Sequence, residues 1–487
     1  MNIVRPRGKE YLLLAGLTIA AIIVNGYHPA IEDAEIYTPG ILKVLHPSLF
    51  PYNVEFFESH ARMTFFPQLI AGSMRVTRLP LSAAFLTWHF FSIFLLLLGC
   101  WRIASLCFEE KHAAWCGVAL VGSLLSIPVA GTRLFLMDPY FTTRSLSAPG
   151  ALLGVAGALE EKYLAAATWI LFTAAIHPLM AVFAAVYVGI ILLLKFRTKS
   201  SGAAASVAAL PQQLFPPATS EYREILQTRP YFFLSNWAWY EWLGLLAPFA
   251  LLAWFARVGR RYALGPMNLA CRALVLYGSL FFATALIVSR PGRFENLAEI
   301  QPLRYLHLLY ILMFLFIGGL LGKFVLQRQT WRWAALFVPL CAGMAYAQQE
   351  TSPATAHLEL PGRASGNPWV QAFEWIRVNT PEDAYFALNP KHMALPGEDQ
   401  HGFRAIAQRS MLADAVKDSG AASMFPALAG KWKEQAKAQE GWGKFQYQDF
   451  LRLNQRYGVD WVVVERPGAA GLVCPYANEL LLVCRIE

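Results

Sequence analysis

The sequence predicts an α-helical multi-pass membrane protein with a small C-terminal α/β domain, and three observations predict it. Hydrophobic residues make up 56% of the 487 residues and charged residues only 15%, where soluble proteins carry about 25% charged residues. The net charge of +9 is unevenly spread: the first 349 residues hold 27 Lys+Arg against 16 Asp+Glu, and the remainder 14 against 16. Finally, the apolar runs stop near residue 348, and short strand-like and helix-like patterns replace them. A soluble cytosolic enzyme and a disordered chain are both excluded. The basic excess sits in short runs beside apolar stretches, at 5–9, 195–199, 257–261 and 323–332. That is the signature of membrane topology and not of nucleic-acid binding.

A membrane crossing needs roughly 20 mostly apolar residues. Candidate spans are 11–26, 81–107, 112–131, 145–159, 163–195, 240–257, 267–289, 302–322 and 331–348, and the total is about nine to eleven. The first is not a cleavable signal peptide, because His28-Pro29 and an acidic cluster follow it instead of a small-residue cleavage site. The stretch 163–195 reads either as one long helix kinked at Pro178 or as two short ones meeting at His177-Pro178. Lys195, Arg197 and Lys199 favour two helices, whereas Arg257, Arg260 and Arg261 favour one passage or an unrecognised extra one. The second argument is preferred because it also places the later basic run on the cytoplasmic side, and the conflict stays open. The N-terminus is then cytoplasmic and the tail periplasmic, in a bacterial inner membrane. Residues 1–348 form the membrane domain, with a long first outer loop at 27–80, and 349–487 the periplasmic domain. Within that loop, 54–76 mixes Phe, Met, Leu and Ile with Glu, His and Arg, the composition of a helix lying on the membrane surface.

The tail reads as α/β from about Pro368: a helix at 369–378, a strand at 384–388, helical stretches at 431–439 and 447–457, a buried strand at 459–464 and a hairpin at 472–486. Five cysteines lie in or beside spans and read as packing residues. Cys474 and Cys484 lie outside them, but a turn at Ala477-Asn478 sets Cys474 opposite about residue 481, so their pairing stays open. No Cys/His spacing makes a zinc site.

Polar groups pinned at the outer ends of spans are the candidates for chemistry. Glu32, Asp33 and Glu35 follow the first span between apolar residues and two prolines. Like charges crowded there raise one another's pKa, which suits a general base. Arg304 and His307, three apart at the start of a span, share a helix face at a helix N-terminus, an anion-binding position. Asp138 lies between Arg133 and Arg144 in the second outer loop, and His177 is an ionisable group inside apolar sequence. The aromatic run Trp237, Trp239, Tyr240, Trp242 is first of all an interface belt.

Taken together, Glu32-Asp33-Ala34-Glu35-Ile36-Tyr37 after span one, the amphipathic stretch in the same loop, and Pro302-Leu303-Arg304 resemble the polyprenyl-phosphate-sugar-dependent membrane glycosyltransferases of the GT-C fold. The tail segments 375–384 and 457–464 match that family too. The resemblance implies that a first-loop carboxylate deprotonates an acceptor hydroxyl while the sugar leaves a lipid phosphate with inversion. Asp33 is the preferred base, Glu35 and Glu32 its rivals, and Asp138 a helper. Arg304 contacts the lipid phosphate, with His307, Arg133, Arg144 and His177 as further substrate-binding candidates. The partners implied are membrane lipids, the polyprenyl-phosphate sugar donor and a glycan, lipid or protein acceptor, with no nucleic acid. The carboxylates leave room for a divalent metal, Mg or Mn, although no coordination pattern compels one. Two other classes use the same residues. A transporter or flippase for an anionic lipid calls for ionisable groups deep in several spans and related halves. A non-catalytic subunit of a membrane complex leaves the acidic cluster dispensable.

Overall fold

The computed structural model describes residues 8–196, 218–288 and 295–486. The basic residues Arg5, Arg7, Arg197 and Lys199, the Ala/Ser-rich and Pro-Pro parts of the expected third loop, and the start of the fourth lie outside the described residues. Among the described residues six helices are long and apolar enough to cross a membrane: Gly8–Asn25, Leu81–Cys107, Pro178–Phe196, Trp239–Arg261, Gly265–Val288 and the stretch Pro302–Leu326. Lys111–Ser123, Thr143–Leu159, Tyr163–Ile176 and Thr330–Thr351 complete the helical bundle among the described residues. A bundle of this length and apolarity has the build of a membrane-embedded body.

The helix Thr143–Leu159 is short because it is central. All its side chains are buried, so packing against protein, and not bilayer thickness, sets its length. The Ser145 hydroxyl accepts the Thr142 N–H at 3.0 Å and opens the helix. Further along, Gly154 lets Tyr163–Ile176 pass close by: a Cβ there would lie 2.9 Å from Ile170 Cδ1.

The reading of 163–195 as one passage is overturned. Tyr163–Ile176 and Pro178–Phe196 are separate helices that fold back on each other at His177. His177 leaves helical geometry (φ −153°), and Pro178, with no N–H to donate, opens the next helix. Lys195 Nζ returns to the carbonyls of Ala158 and Leu159 at 3.1 and 3.2 Å, just before the first helix begins. The surface helix expected over 54–76 is also two helices, Glu55–Arg62 and Phe66–Thr77. At the break between them the Phe65 N–H donates to the Ala175 carbonyl at 2.7 Å.

The tail folds much as its pattern predicts. A five-stranded sheet runs β2-β1-β3-β5-β4, with β1 Tyr385–Leu388, β2 Ser410–Met411, β3 Trp461–Glu465, β4 Val473–Ala477 and β5 Leu481–Arg485. β1 is parallel to β2 and β3, and the β4–β5 hairpin is antiparallel. A register shift between Val473 and Tyr476 brings Cys474 opposite Cys484, and the two form a disulfide. Ala477 pairs with Leu482, so the turn spans 478–481 and not Ala477-Asn478; that alone would set Cys474 opposite Arg485, and the register shift moves it by one residue to Cys484.

The first loop is clamped between bundle and domain. Asn53 Nδ2 donates to Tyr385 Oη, the Met411 carbonyl and Gln435 Oε1 at 2.8–2.9 Å, and Gln435 Nε2 donates back at 3.0 Å. Short β-bridges join Tyr27 to Leu358 and Ile31 to His401. The buried Arg404 guanidinium holds Asp418 through two hydrogen bonds, 3.0 and 2.7 Å, and Glu35 at 3.2 Å. Domain, loop and bundle therefore meet through polar groups that are costly to leave unpaired.

Candidate functional site

Where these three parts meet they enclose a cavity of about 650 Å³. Its walls come from the first loop, residues 128–144, the His177-Pro178 turn, the strap 228–232, the Gln301–Arg304 turn and domain residues 415–425. Of the residues singled out in the sequence, Glu32, Asp33, Arg133, Arg144, His177 and Arg304 all line it.

Local backbone geometry explains how the acidic pair points inward. Glu32 has a left-handed conformation (φ 53°), and Asp33 stands at the N-cap of Ala34–Leu45 without capping it through its side chain. Its carboxylate is instead shared between two cations. Arg144 Nη1 lies 2.8 Å from Oδ2, and Lys417 Nζ lies 3.0 Å from Oδ1. Lys417 also pairs with Glu32. The raised pKa expected of crowded carboxylates is reversed at Asp33: burial alone would raise its carboxyl, but Lys417 and Arg144 outweigh it and hold the group well below the usual carboxylate range. The same carboxylates, after burial has opposed it, keep the Lys417 ammonium above its ordinary value.

Arg144 is fixed from behind. Its Nε and Nη2 contact Asp138 Oδ2 at 3.0 and 2.9 Å. Asp138 is 4% exposed and does not line the cavity. It orients the arginine and is not itself a group facing substrate. Arg304 sits on a short turn, Pro302–Arg304, where the chain enters Tyr305–Leu321. Neither Arg304 nor Arg133 has a carboxylate partner among the described residues. Arg229 donates to the Val416 carbonyl and to Ser419 Oγ (2.8 Å), tying the strap to the domain. His60 faces the cavity from the loop, where burial pushes its imidazole down to about 4.

Two candidates fall away. Glu35 is fully buried on the other side of its helix, against Arg404 and the Ala405 N–H (3.2 Å). Burial, with Asp414 and Asp418 nearby and Arg404 opposing, pushes its carboxyl up to about 8. It meets no part of the cavity and joins domain to loop. His307 is buried one turn below Arg304 and bonds the Leu136 carbonyl at 3.0 Å; it anchors the second loop. Cavity residues without a role read from the sequence include His60, Tyr37 and Lys417. His60 and Tyr37 lay in segments read for amphipathicity and charge. Lys417 is one basic residue among fourteen in the tail, and nothing local in the sequence sets it apart.

No family model matches this chain, and no curated protein matches it. Among the described residues no three His, Cys, Asp or Glu side chains come together as a metal site. Lys417 and Arg144 occupy the positions beside Glu32 and Asp33 where a divalent ion would have to sit, so the residues present do not fit such an ion. What the arrangement offers instead is a surplus of positive charge facing a carboxylate pair. It can hold an anion and, a few ångströms away, accept a proton.

Proposed function

We propose that this chain is an integral-membrane glycosyltransferase that moves a sugar from a polyprenyl-phosphate donor to an acceptor hydroxyl, with its cavity at the outer face of a bacterial inner membrane. One observation carries the reading: Asp33 and Arg304, which are far apart in sequence, line the same cavity. Asp33 takes the proton of the acceptor hydroxyl, whose oxygen attacks the anomeric carbon from the side opposite the phosphate. The bond to phosphate breaks with inversion, and Arg304 stabilises the charge that develops on the departing oxygen.

The charge pattern supports this sidedness. Arg102 and Lys162 pair with Glu160, Lys195 with Glu161, Lys323 with Glu110, and Lys111 with Glu10 at the start of the first helix, whose other end adjoins Tyr27 and its bridge to Leu358. The positive-inside rule makes the end with these cations cytoplasmic and the sheet domain periplasmic.

The test is transfer from a lipid-linked sugar donor by full-length protein in nanodiscs. Asp33→Asn should abolish turnover with the fold retained, whereas Arg304→Ala should weaken donor binding more than it weakens membrane insertion. Full turnover by Asp33→Asn would remove the base assignment.

A further inference from the structure

We propose that Lys417 is a phosphate ligand supplied by the C-terminal domain, and that its exchange from Glu32 and Asp33 to the donor's phosphate is what frees Asp33 to act as base. The proposal rests on the reading above and deepens it.

It begins from a conflict in the geometry. A base needs an oxygen free to meet the acceptor hydroxyl, but both Asp33 oxygens are taken, Oδ2 by Arg144 and Oδ1 by Lys417. One cation has to leave. Arg144 is held from behind by two contacts to the buried Asp138, and its departure would strand that carboxylate without a partner. Lys417 has no such tether beyond Glu32 and Asp33. Its backbone is fixed: Asp414 Oδ1 accepts the N–H groups of Val416 (2.6 Å), Lys417 and Asp418 (3.2 Å), and the Ala415 N–H donates to the Pro390 carbonyl at 2.7 Å. A flexible four-carbon stem therefore swings from a rigid base, and a lysine ammonium contacts phosphate as a mobile point charge.

Charge balance favours the exchange. Lys417 is the cation that the domain adds to the described wall, which already carries unpaired Arg304 and Arg133. A donor phosphodiester drawn to those arginines presents its two non-bridging oxygens to the cavity that Lys417 also lines. Once Lys417 moves, Oδ1 is exposed to the acceptor while Arg144 still orients Oδ2. The hydroxyl proton then goes to Oδ1, the carbon–oxygen bond to the acceptor forms, and the electron pair of the broken bond stays on the phosphate between Arg304 and Lys417. The other charged and titratable groups around Asp33 are Glu32, Asp138, Arg304, His60 and Tyr37.

The experiment is a double-mutant cycle on full-length protein in nanodiscs, read by binding of sugar-free polyprenyl monophosphate. Lys417→Met should weaken binding about tenfold, and Lys417→Arg should restore most of it. Glu32→Gln should tighten binding, because the lysine loses an internal competitor. In the Lys417→Met background that gain should collapse, since no exchange remains to be eased. Unchanged binding by Lys417→Met, or a Glu32→Gln gain of the same size in both backgrounds, overturns the proposal. If Lys417→Met does not fold, Lys417→Gln takes its place. Transfer by Asp33→Asn separates this inference from the one beneath it. A dead Asp33→Asn with an additive cycle sinks the exchange alone, and an active one sinks the base assignment whatever the cycle shows.

Discussion

Glu35 and Asp418 share one buried guanidinium, and their geometry assigns the two carboxylates different charge states. Arg404 gives Asp418 two hydrogen bonds, the shorter 2.7 Å, and gives Glu35 a single contact at 3.2 Å. Burial pushes Glu35 up to about 8 and Asp418 to about 6, each against the pull of Arg404. As pH falls, the first proton goes to Glu35, the carboxylate that Arg404 holds more weakly. Glu35→Gln removes the ionisable group but turns an NH2 donor towards either Arg404 or the Ala405 N–H, both of which donate to Glu35, and should cost about 1–3 kcal/mol. Asp418→Asn strands Arg404 without its main partner in a buried site and should cost about 3–5 kcal/mol. A pH dependence comes with this. The folded pKa of Glu35 lies above its ordinary 4.5, so its contribution is complete below pH 4.5 and is lost as pH rises through about 8. The slope is at most about 1.4 kcal/mol per pH unit. Chemical unfolding in detergent, followed by tryptophan fluorescence from pH 5 to 9, measures both effects. Wild type should lose stability across that range and Glu35→Gln should lose less. Equal costs for the two substitutions, or an unchanged slope in Glu35→Gln, would refute the assignment of the proton.

Other consequences are simpler to state. Asn53→Ala strips the loop of its buried amide contacts to Tyr385, Met411 and Gln435, and it should cost about two to three times the roughly 1 kcal/mol of one bond, measured by chemical unfolding in detergent. Gly154→Val drives a branched side chain into Ile170, where even a Cβ would sit at 2.9 Å; a loss of about 1–3 kcal/mol in unfolding free energy is expected. On the proposed sidedness, a cysteine introduced at Lys323 should react with a membrane-impermeant reagent only from the cytoplasmic face, and one at Lys444 only from the periplasmic face. Reversed labelling would invert the topology and remove the outer-face site with it.

Much of the architecture was legible because it is local. Spans such as Leu81–Cys107 announce themselves by unbroken apolarity, and β3 by Val462-Val463-Val464 between polar flanks. The errors arose where tertiary contacts decide. At His177-Pro178 apolarity runs straight through the turn, so only the packing of two helices against Thr143–Leu159 reveals the reversal. Charge counting failed there because the run Arg257, Arg260 and Arg261 was given more weight than Lys195, which favours two helices. The hairpin register turned on a longer turn, 478–481, and on a one-residue bulge, neither of which the sequence pattern marks.

The site itself divides along the same line. Asp33, Arg144 and Arg304 were readable because an ionisable group at the end of an apolar run is conspicuous by contrast. Lys417 was not, since a lysine in a polar domain has no contrast to mark it, and its meaning comes entirely from the fold that carries it to Glu32. Glu35 shows the converse. Two residues from Asp33 on the same helix, it points about 200° away around a 3.6-residue turn and is committed to Arg404. Proximity in sequence grouped the three acids as rivals for one role. Helical geometry gives Asp33 to the cavity, Glu35 to the domain joint, and Glu32 to the lysine that links the two.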